Sequence, residues 1–275
     1  MNIFKEIMRD NIGRIGFFGV LLVLIFGILA PFIAPHSPTE MFTNDLLSSP
    51  SGQFIFGTDE YGYDVFSRVV YGARVSMYVG VVSVAIASII GSLLGLIAGY
   101  FGGWIDNIIM RFMDILFAFP SILLALAIVS VLGTELINTI ISIGIVMTPV
   151  FTRTVRAAVI SVKSKEFITS AVSIGIKDSR IIFKHVLPNV MAPFIVQMTL
   201  SLSSAILVEA SLSFLGLGIQ PPDPSWGSML NLSRKYMELA PWTAIFPAVA
   251  IIFTILSFNL LGDSLRDILD PKLKI

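Results

Sequence analysis

Six stretches of this chain are long and apolar enough to cross a lipid bilayer, which leaves few folds open to it. A hydrocarbon core about 30 Å thick needs roughly 20 apolar residues at about 1.5 Å rise each. Runs near that length fall at 15–34, 75–99, 112–132, 136–151, 193–215 and 242–262, the fourth being the shortest. Composition agrees: 55% of the 275 residues are hydrophobic and 13% charged, against roughly 25% charged in a soluble domain. The expected fold class is an all-α integral membrane protein of about six transmembrane helices. The first run follows Lys5, Arg9 and Arg14, as a secretory signal would. Its length, and its ending in Pro31 and Pro35 without a small-x-small site, predict an uncleaved span.

Basic residues remain in the cytoplasm, so the loops can be assigned by counting Lys and Arg on alternate sides. One side collects fourteen of the eighteen: Lys5, Arg9, Arg14, Arg111, Arg153, Arg156, Lys163, Lys165, Lys177, Arg180, Lys184, Arg266, Lys272 and Lys274. The other keeps Arg68, Arg74, Arg234 and Lys235. This split predicts both termini inside. With 18 basic and 18 acidic residues the net charge is zero, so nothing points to a nucleic-acid partner, whereas the lipid bilayer is an obligatory one.

The pattern divides into an N-terminal span with an outer loop, 1–74, and a five-helix core, 75–275, carrying a cytoplasmic segment at 153–192. In the outer loop Val65, Phe66, Val69 and Val70 recur at helical spacing after Asp64, which suggests an amphipathic helix on the outer surface or an ordinary packed one. Gly216, Gly218, Pro221, Pro222 and Pro224 predict a turn after the fifth run. Trp226, Tyr236 and Trp242 are expected at the outer interface.

The segment 153–192 holds seven basic residues against Glu166 and Asp178. Ser164 can cap a helix on which Phe167, Ile168, Ala171, Val172 and Ile174 share one narrow face. Gly175 can end that helix in a left-handed conformation, Asp178 can cap a second, and Pro188 marks the return to the membrane. The remaining inside loops, including 100–111, offer little apolar surface to cover such a face. Docking of the helix in a groove of another chain is therefore expected, the alternative being a helix flat on lipid headgroups.

Catalytic chemistry is sparse. A P-loop needs a Gly-Lys pair to hold phosphates, and the chain has none. His36 and His185 are the only histidines and fall on opposite sides of the predicted membrane, and there is no cysteine. These absences predict a non-enzyme with no metal or cofactor of its own. Polar residues on the spans are candidates for a solute pathway because burying them is costly. Asp114 falls in the first turn of the third run, where capping or an interfacial role is expected. Glu209 is expected near the outer end, either as a wetted gate or as a plain interfacial glutamate. Gln197, Asn189 and Asn259 are expected mainly in interhelical hydrogen bonds.

Glu166-Phe167, Ala171, Gly175 and His185-Val186-Leu187-Pro188-Asn189 resemble the EAA motif of the membrane subunits of bacterial and archaeal ABC importers. Three further stretches resemble the second permease (dipeptide permease C-like) of the oligopeptide, dipeptide and nickel importers. They are Gly57-Thr58-Asp59 with Gly62, Asp64, Ser67, Arg68 and Tyr71-Gly72-Ala73-Arg74; Ser213-Phe214-Leu215-Gly216-Leu217-Gly218 through Pro221-Pro222 to Ser225-Trp226-Gly227; and Asn259-Leu260-Leu261-Gly262-Asp263 with Leu265-Arg266-Asp267 and Leu269-Asp270-Pro271. The resemblance covers nearly the whole chain. It departs at Tyr63, where the family usually has Arg, and at Thr169, Ser170 and Ser173, where it is more Ala-rich.

The resemblance implies a type I importer permease forming half of a translocation pathway in a bacterial or archaeal inner membrane. It assigns ATPase coupling to Glu166, Phe167, Ala171, Val172, Gly175 and Ile176. The implied partners are a homologous permease in a heterodimer, one or two ATP-binding subunits that hold ATP and Mg, and an extracytoplasmic solute-binding protein. The solute is left open among di- and oligopeptides, nickel and metal-chelator complexes. From other classes, an ATP-independent carrier would predict inverted repeats or mid-membrane charge, and a membrane-embedded enzyme would need a nucleophile or metal cluster.

Overall fold

The computed structural model describes residues 3–269, and these are almost wholly helical. Asp270, Pro271, Lys272 and Lys274, which enter the charge count and the motifs above, lie outside the described residues. A short helix α1 (Ile3–Arg9) precedes α2 (Asn11–Ile28) and a single turn, α3 (Ala30–Ile33). After an irregular segment come α4 (Val65–Phe101), α5 (Gly103–Phe117), α6 (Ser121–Leu132) and α7 (Leu136–Lys163). Then follow α8 (Glu166–Ser173) and α9 (Asp178–Ile181), which a π turn at Ile182–Val186 joins to α10 (Leu187–Phe214). Last come α11 (Trp226–Ser233) and α12 (Trp242–Leu269). Five rods are long and apolar enough to span a bilayer: α2, α4, α7, the continuous rod 178–214, and α12. The sixth candidate, which covers the third apolar run, is the pair α5 and α6, bent by 90°.

Several boundaries differ from those the hydropathy pattern predicts. The helix expected on the outer surface after Asp64 is the beginning of α4, which runs unbroken through the division at 74/75. Val65 and Val70 are buried in the bundle, because nothing in the sequence stops the helix between them and the span. Asp64 starts it by accepting the Ser67 N–H at 3.0 Å. The third run is not one straight helix but part of a bent pair. Pro120 has no N–H for the Leu116 carbonyl, so α5 stops at Phe117 and α6 starts at Ser121. The expected loop 100–111 is mostly the first two turns of α5. The fourth run continues past Phe151 to Lys163.

Lipid supplies no hydrophobic force between spans, so helices associate by close packing and interhelical hydrogen bonds. Gly91, Gly95 and Gly99 recur every four residues on the face of α4 that meets α7. A Cβ added at Gly91 would lie 2.6 Å from the Phe151 Cβ, at Gly95 2.6 Å from the Thr152 carbonyl oxygen, and at Gly99 2.8 Å from the Val159 Cβ. Only glycine permits this approach. Gly16 serves the same purpose between α2 and α12, where an added Cβ would sit 2.5 Å from the Leu261 nitrogen. Ser203 Oγ donates to Asn259 Oδ1 at 2.6 Å across α10 and α12, the role expected of Asn259. Side chains of α4, α6, α7 and α10, among them Val84, Ala125, Ile143 and Leu212, fill the centre.

The irregular segments at 34–64 and 215–225 close one end of the bundle, called here the loop end. Arg68, 1% exposed, ties both to α4: its Nη1 donates to the carbonyls of Pro38 at 2.9 Å and Pro222 at 3.3 Å. Its guanidinium lies 4.4 Å from the Tyr63 ring centre and its Nε 3.8 Å from Asp59 Oδ2. Burial pushes the Asp59 carboxyl above its ordinary value, against the opposing pull of Arg68. Trp226 is buried rather than interfacial. Its Nε1 donates to the Val69 carbonyl at 2.9 Å, and Gly72 leaves room for its ring. Trp242 and Tyr236 are partly exposed.

The α4–α7 contact is testable. Gly95→Leu should destabilise the protein by about 1–3 kcal/mol through overpacking, read as a lower unfolding temperature of the purified protein in detergent. Gly52→Ala, with open space around it, should melt with the parent. Equal melting of all three would remove the glycine-mediated contact from the fold.

Candidate functional site

At the end opposite the loops, α7 and α10 are joined through a helical elbow. Ser164 closes α7 instead of opening α8, whose first residues carry no side-chain cap; the expected capping role of Ser164 is therefore wrong. The bend itself follows from Gly175, at φ +74°. Its N–H donates to the Val172 carbonyl at 2.9 Å, and the Ile176 N–H donates to the Ala171 carbonyl at 3.1 Å. This pair of bonds satisfies two of the last carbonyls of α8 and needs a left-handed residue between them. The second helix expected after the bend is the start of the rod that becomes α10. Asp178 does not cap it through its side chain; its Oδ1 accepts from the Tyr100 hydroxyl at 2.6 Å. Lys163 Nζ donates to the Tyr100 carbonyl at 2.5 Å, so both arms of the elbow are pinned to the end of α4. The π turn falls where Pro188 cannot donate to the Lys184 carbonyl.

The apolar face of α8 is divided, not single. Ile168 and Ala171 are buried with Val159, Val162, Ile181 and Val186 of this same chain. The expectation that this chain could not cover the face therefore fails for those two, because the extensions of α7 and of the 178–214 rod beyond the predicted spans supply the cover. Phe167, Val172 and Ile174 remain 43%, 56% and 76% exposed. Glu166 is also exposed and Ile176 half-buried.

The three polar pathway candidates are not brought together. Glu209 lies five residues from the loop end of α10, near the expected end of the span, but it is fully buried rather than wetted or exposed at an interface. Its Oε2 accepts from Ser76 Oγ at 3.0 Å and its Oε1 from Ser213 Oγ at 2.8 Å. Ser213 Oγ also accepts the Ile219 N–H at 3.2 Å, so the carboxyl joins α4, α10 and the turn that follows α10. Gln197 is half-buried; its Nε2 donates to Ser201 Oγ at 3.0 Å and its Oε1 accepts from Thr154 Oγ1 of α7 at 3.4 Å. Asp114 lies in the last turn of α5 rather than the first turn of a span. It pairs with Arg153 at 2.6 Å, and capping is not its role.

The 90° break between α5 and α6 opens a cavity of about 460 Å³ against α7 and α10. Residues 116–121 form one wall, and Val146, Met147, Val150, Ser204 and Val208 form the others. Arg153 packs its guanidinium 4.1 Å from the centre of the Phe117 ring beside this break. A second ion pair, Arg156 to Asp106 at 2.5 and 2.6 Å, holds the other end of α5 to α7. Sequence reasoning missed this cavity, both ion pairs and the anchoring by Arg68. Pro120 inside an apolar run was the one available signal for the first, and Arg68 within an apolar helical face for the last.

Two family profiles match the chain. The one described as "Binding-protein-dependent transport system inner membrane component" matches residues 91–275, and "N-terminal TM domain of oligopeptide transport permease C" matches residues 2–50. Among similar proteins, the dipeptide transport system permease protein DppC of Alkalihalophilus pseudofirmus is 49% identical over 271 residues, 98% of this chain and 89% of that protein. The di/tripeptide transport system permease protein DppC of Pseudomonas aeruginosa is 47% identical over 278 residues, 98% and 92% respectively. The glutathione transport system permease protein GsiD of Pectobacterium atrosepticum is 43% identical over 271 residues, 98% and 90%. A helical bundle with membrane-spanning rods, an elbow built on Glu166, Ala171 and Gly175, and similarity along its whole length place this chain in the family of binding-protein-dependent transport system inner membrane components, which are transport permeases and not enzymes.

Proposed function

We propose that this chain is one of two membrane subunits of an ABC importer of short peptides. The observation that carries the substrate class is similarity over 98% of the chain to permeases named for dipeptides, di- and tripeptides and glutathione, itself a tripeptide. Nickel or a metal-chelator complex is the second reading; none of these relatives favours it. The chain lies in the cell (inner) membrane with both termini cytoplasmic, as the basic-residue count supports. A homologous permease completes the pathway. One or two partner ATPase subunits bind ATP and Mg and hydrolyse the nucleotide, and an extracytoplasmic binding protein delivers the peptide to the loop end. Glu166, Phe167, Val172 and Gly175 engage the ATPase, with Phe167, Val172 and Ile174 as the exposed apolar contact. Ala171 and Ile176 act indirectly, by seating α8 on the ends of its own spans.

Coupling can be tested on that divided face. Phe167→Asp and Val172→Asp would set an unpaired charge in an apolar contact. Both should leave assembly with the second permease intact but abolish co-purification of the ATPase and peptide import. Gly175→Val adds strain of roughly 1–2 kcal/mol from the left-handed backbone and should weaken coupling without dislodging the spans. Import at the parental rate by Phe167→Asp and Val172→Asp would sink the coupling assignment.

Orientation is read by thiol labelling of this cysteine-free chain in intact cells. Thr39→Cys and Glu238→Cys, both at exposed positions of the loop end, should react with an impermeant reagent, whereas Ser164→Cys should react only after lysis. The reverse pattern would invert the topology.

A further inference from the structure

Non-helical backbone is tolerated at membrane depth only where protein covers it or where it lines a water-filled cavity. The break between α5 and α6 is at such a depth, and residues 117–121 and Ser204 are exposed on this chain, so the chain itself does not cover it. At 1.5 Å per residue, the facing Val150 lies about 21 Å from the loop end of α7, and Ser204 about 15 Å from the loop end of α10. The Leu116 carbonyl has no helical donor because residue 120 is proline, and the Phe117 carbonyl has none because α5 stops there. Both residues line the cavity of about 460 Å³, a volume within the range of roughly 300–1,000 Å³ that small-molecule sites occupy. The side chains around it are apolar except for Ser121 and Ser204, and none is charged. The nearby charges, Asp114 and Arg153, are paired with each other.

We infer that this cavity is hydrated and is a station for the peptide in transit, where the carbonyls of Leu116 and Phe117 accept N–H groups of the peptide main chain. The inference rests on the peptide-import reading above. An uncharged wall with main-chain acceptors recognises what every peptide shares and leaves its side chains unread. A bare divalent cation would meet no anionic ligand there, whereas an extended dipeptide replaces water at the two carbonyls with its amide and ammonium N–H groups, keeps its carboxylate in the cavity water and lays its side chains on Val146, Met147 and Val208.

The test uses the complete transporter, this chain with its partner permease, ATPase subunits and binding protein, reconstituted in proteoliposomes. Because this chain has no cysteine, Val150→Cys and Ser204→Cys each introduce one thiol into the cavity wall. Ile252→Cys, at an outward-facing position of α12 and at a depth of about 15 Å, is the control. A cationic methanethiosulfonate reagent reports hydration. The two cavity thiols should react and the control should not. Dialanine-loaded binding protein with ATP and vanadate should slow the cavity reactions roughly tenfold, as for a site filled about nine-tenths of the time. Cavity thiols as inert as the control would mean a dry void and overturn the inference. An unchanged rate with peptide present, in liposomes that import dialanine, would overturn it too, since the peptide would then pass elsewhere. A hydrated cavity without any dialanine uptake by the parent would remove the peptide-import reading and this inference with it.

Discussion

The close approach of α4 and α7 is the contact on which the rest of the molecule depends. Two spans in hydrocarbon gain little from being apolar, so they need shapes that let backbones meet, and Gly91, Gly95 and Gly99 supply that shape on α4. Both regions of functional interest are attached to the pair. One face of α7 supplies Val146, Met147 and Val150 to the cavity wall. Its far end leads into the elbow, and Lys163 and Asp178 both bond to Tyr100 at the end of α4. The segments on either side of α8 are thus both bonded to the same residue of α4. The Arg153–Asp114 and Arg156–Asp106 pairs extend the same linkage to α5 and hence to the cavity.

The loop end is built on a different principle. There Arg68 is buried and takes up carbonyls from two segments distant in sequence, Pro38 and Pro222, while Tyr63 lies against its guanidinium. Tyr63, whose ring faces that guanidinium, is thus part of the anchor. Glu209 fastens the turn after α10 from below through Ser76 and Ser213. The irregular segments at the loop end are in this way fastened to the first turn of α4 and the last turns of α10.

The elbow shows how far pattern reading reaches and where it stops. The bend at Gly175, the amphipathic α8 and the exposure of Phe167 and Val172 were legible, because helical periodicity and a left-handed glycine are local properties. The burial of Ile168 and Ala171 was not, because it depends on how far α7 and the 178–214 rod project beyond the apolar runs, and polar residues such as Arg156 and Lys163 end a hydropathy run without ending a helix. The same confusion of apolar run with helix shortened α4, whose first two turns read as a separate helix, on the surface or packed in the loop. For Asp114 and Glu209 the residue types were noticed but their surroundings were assigned from distance along a presumed straight span. The break at Pro120 moved the first to the end of α5, and packing against Ser76 and Ser213 enclosed the second.

The amino-acid sequence by itself determined that this chain is a helical membrane protein, roughly where each apolar run lies, the bend at Gly175 and the family motifs. Each of these is set by interactions between near neighbours or by transfer of a segment into lipid, and neither needs knowledge of a partner helix. The tertiary structure alone decided which glycines serve as contact surfaces, that Arg68 and Glu209 are buried, that the face of α8 is half covered, and that a cavity opens at the break in the third span. These depend on which helices meet and at what height. That choice is made by the summed packing of residues far apart in the chain, which no periodicity along one segment encodes.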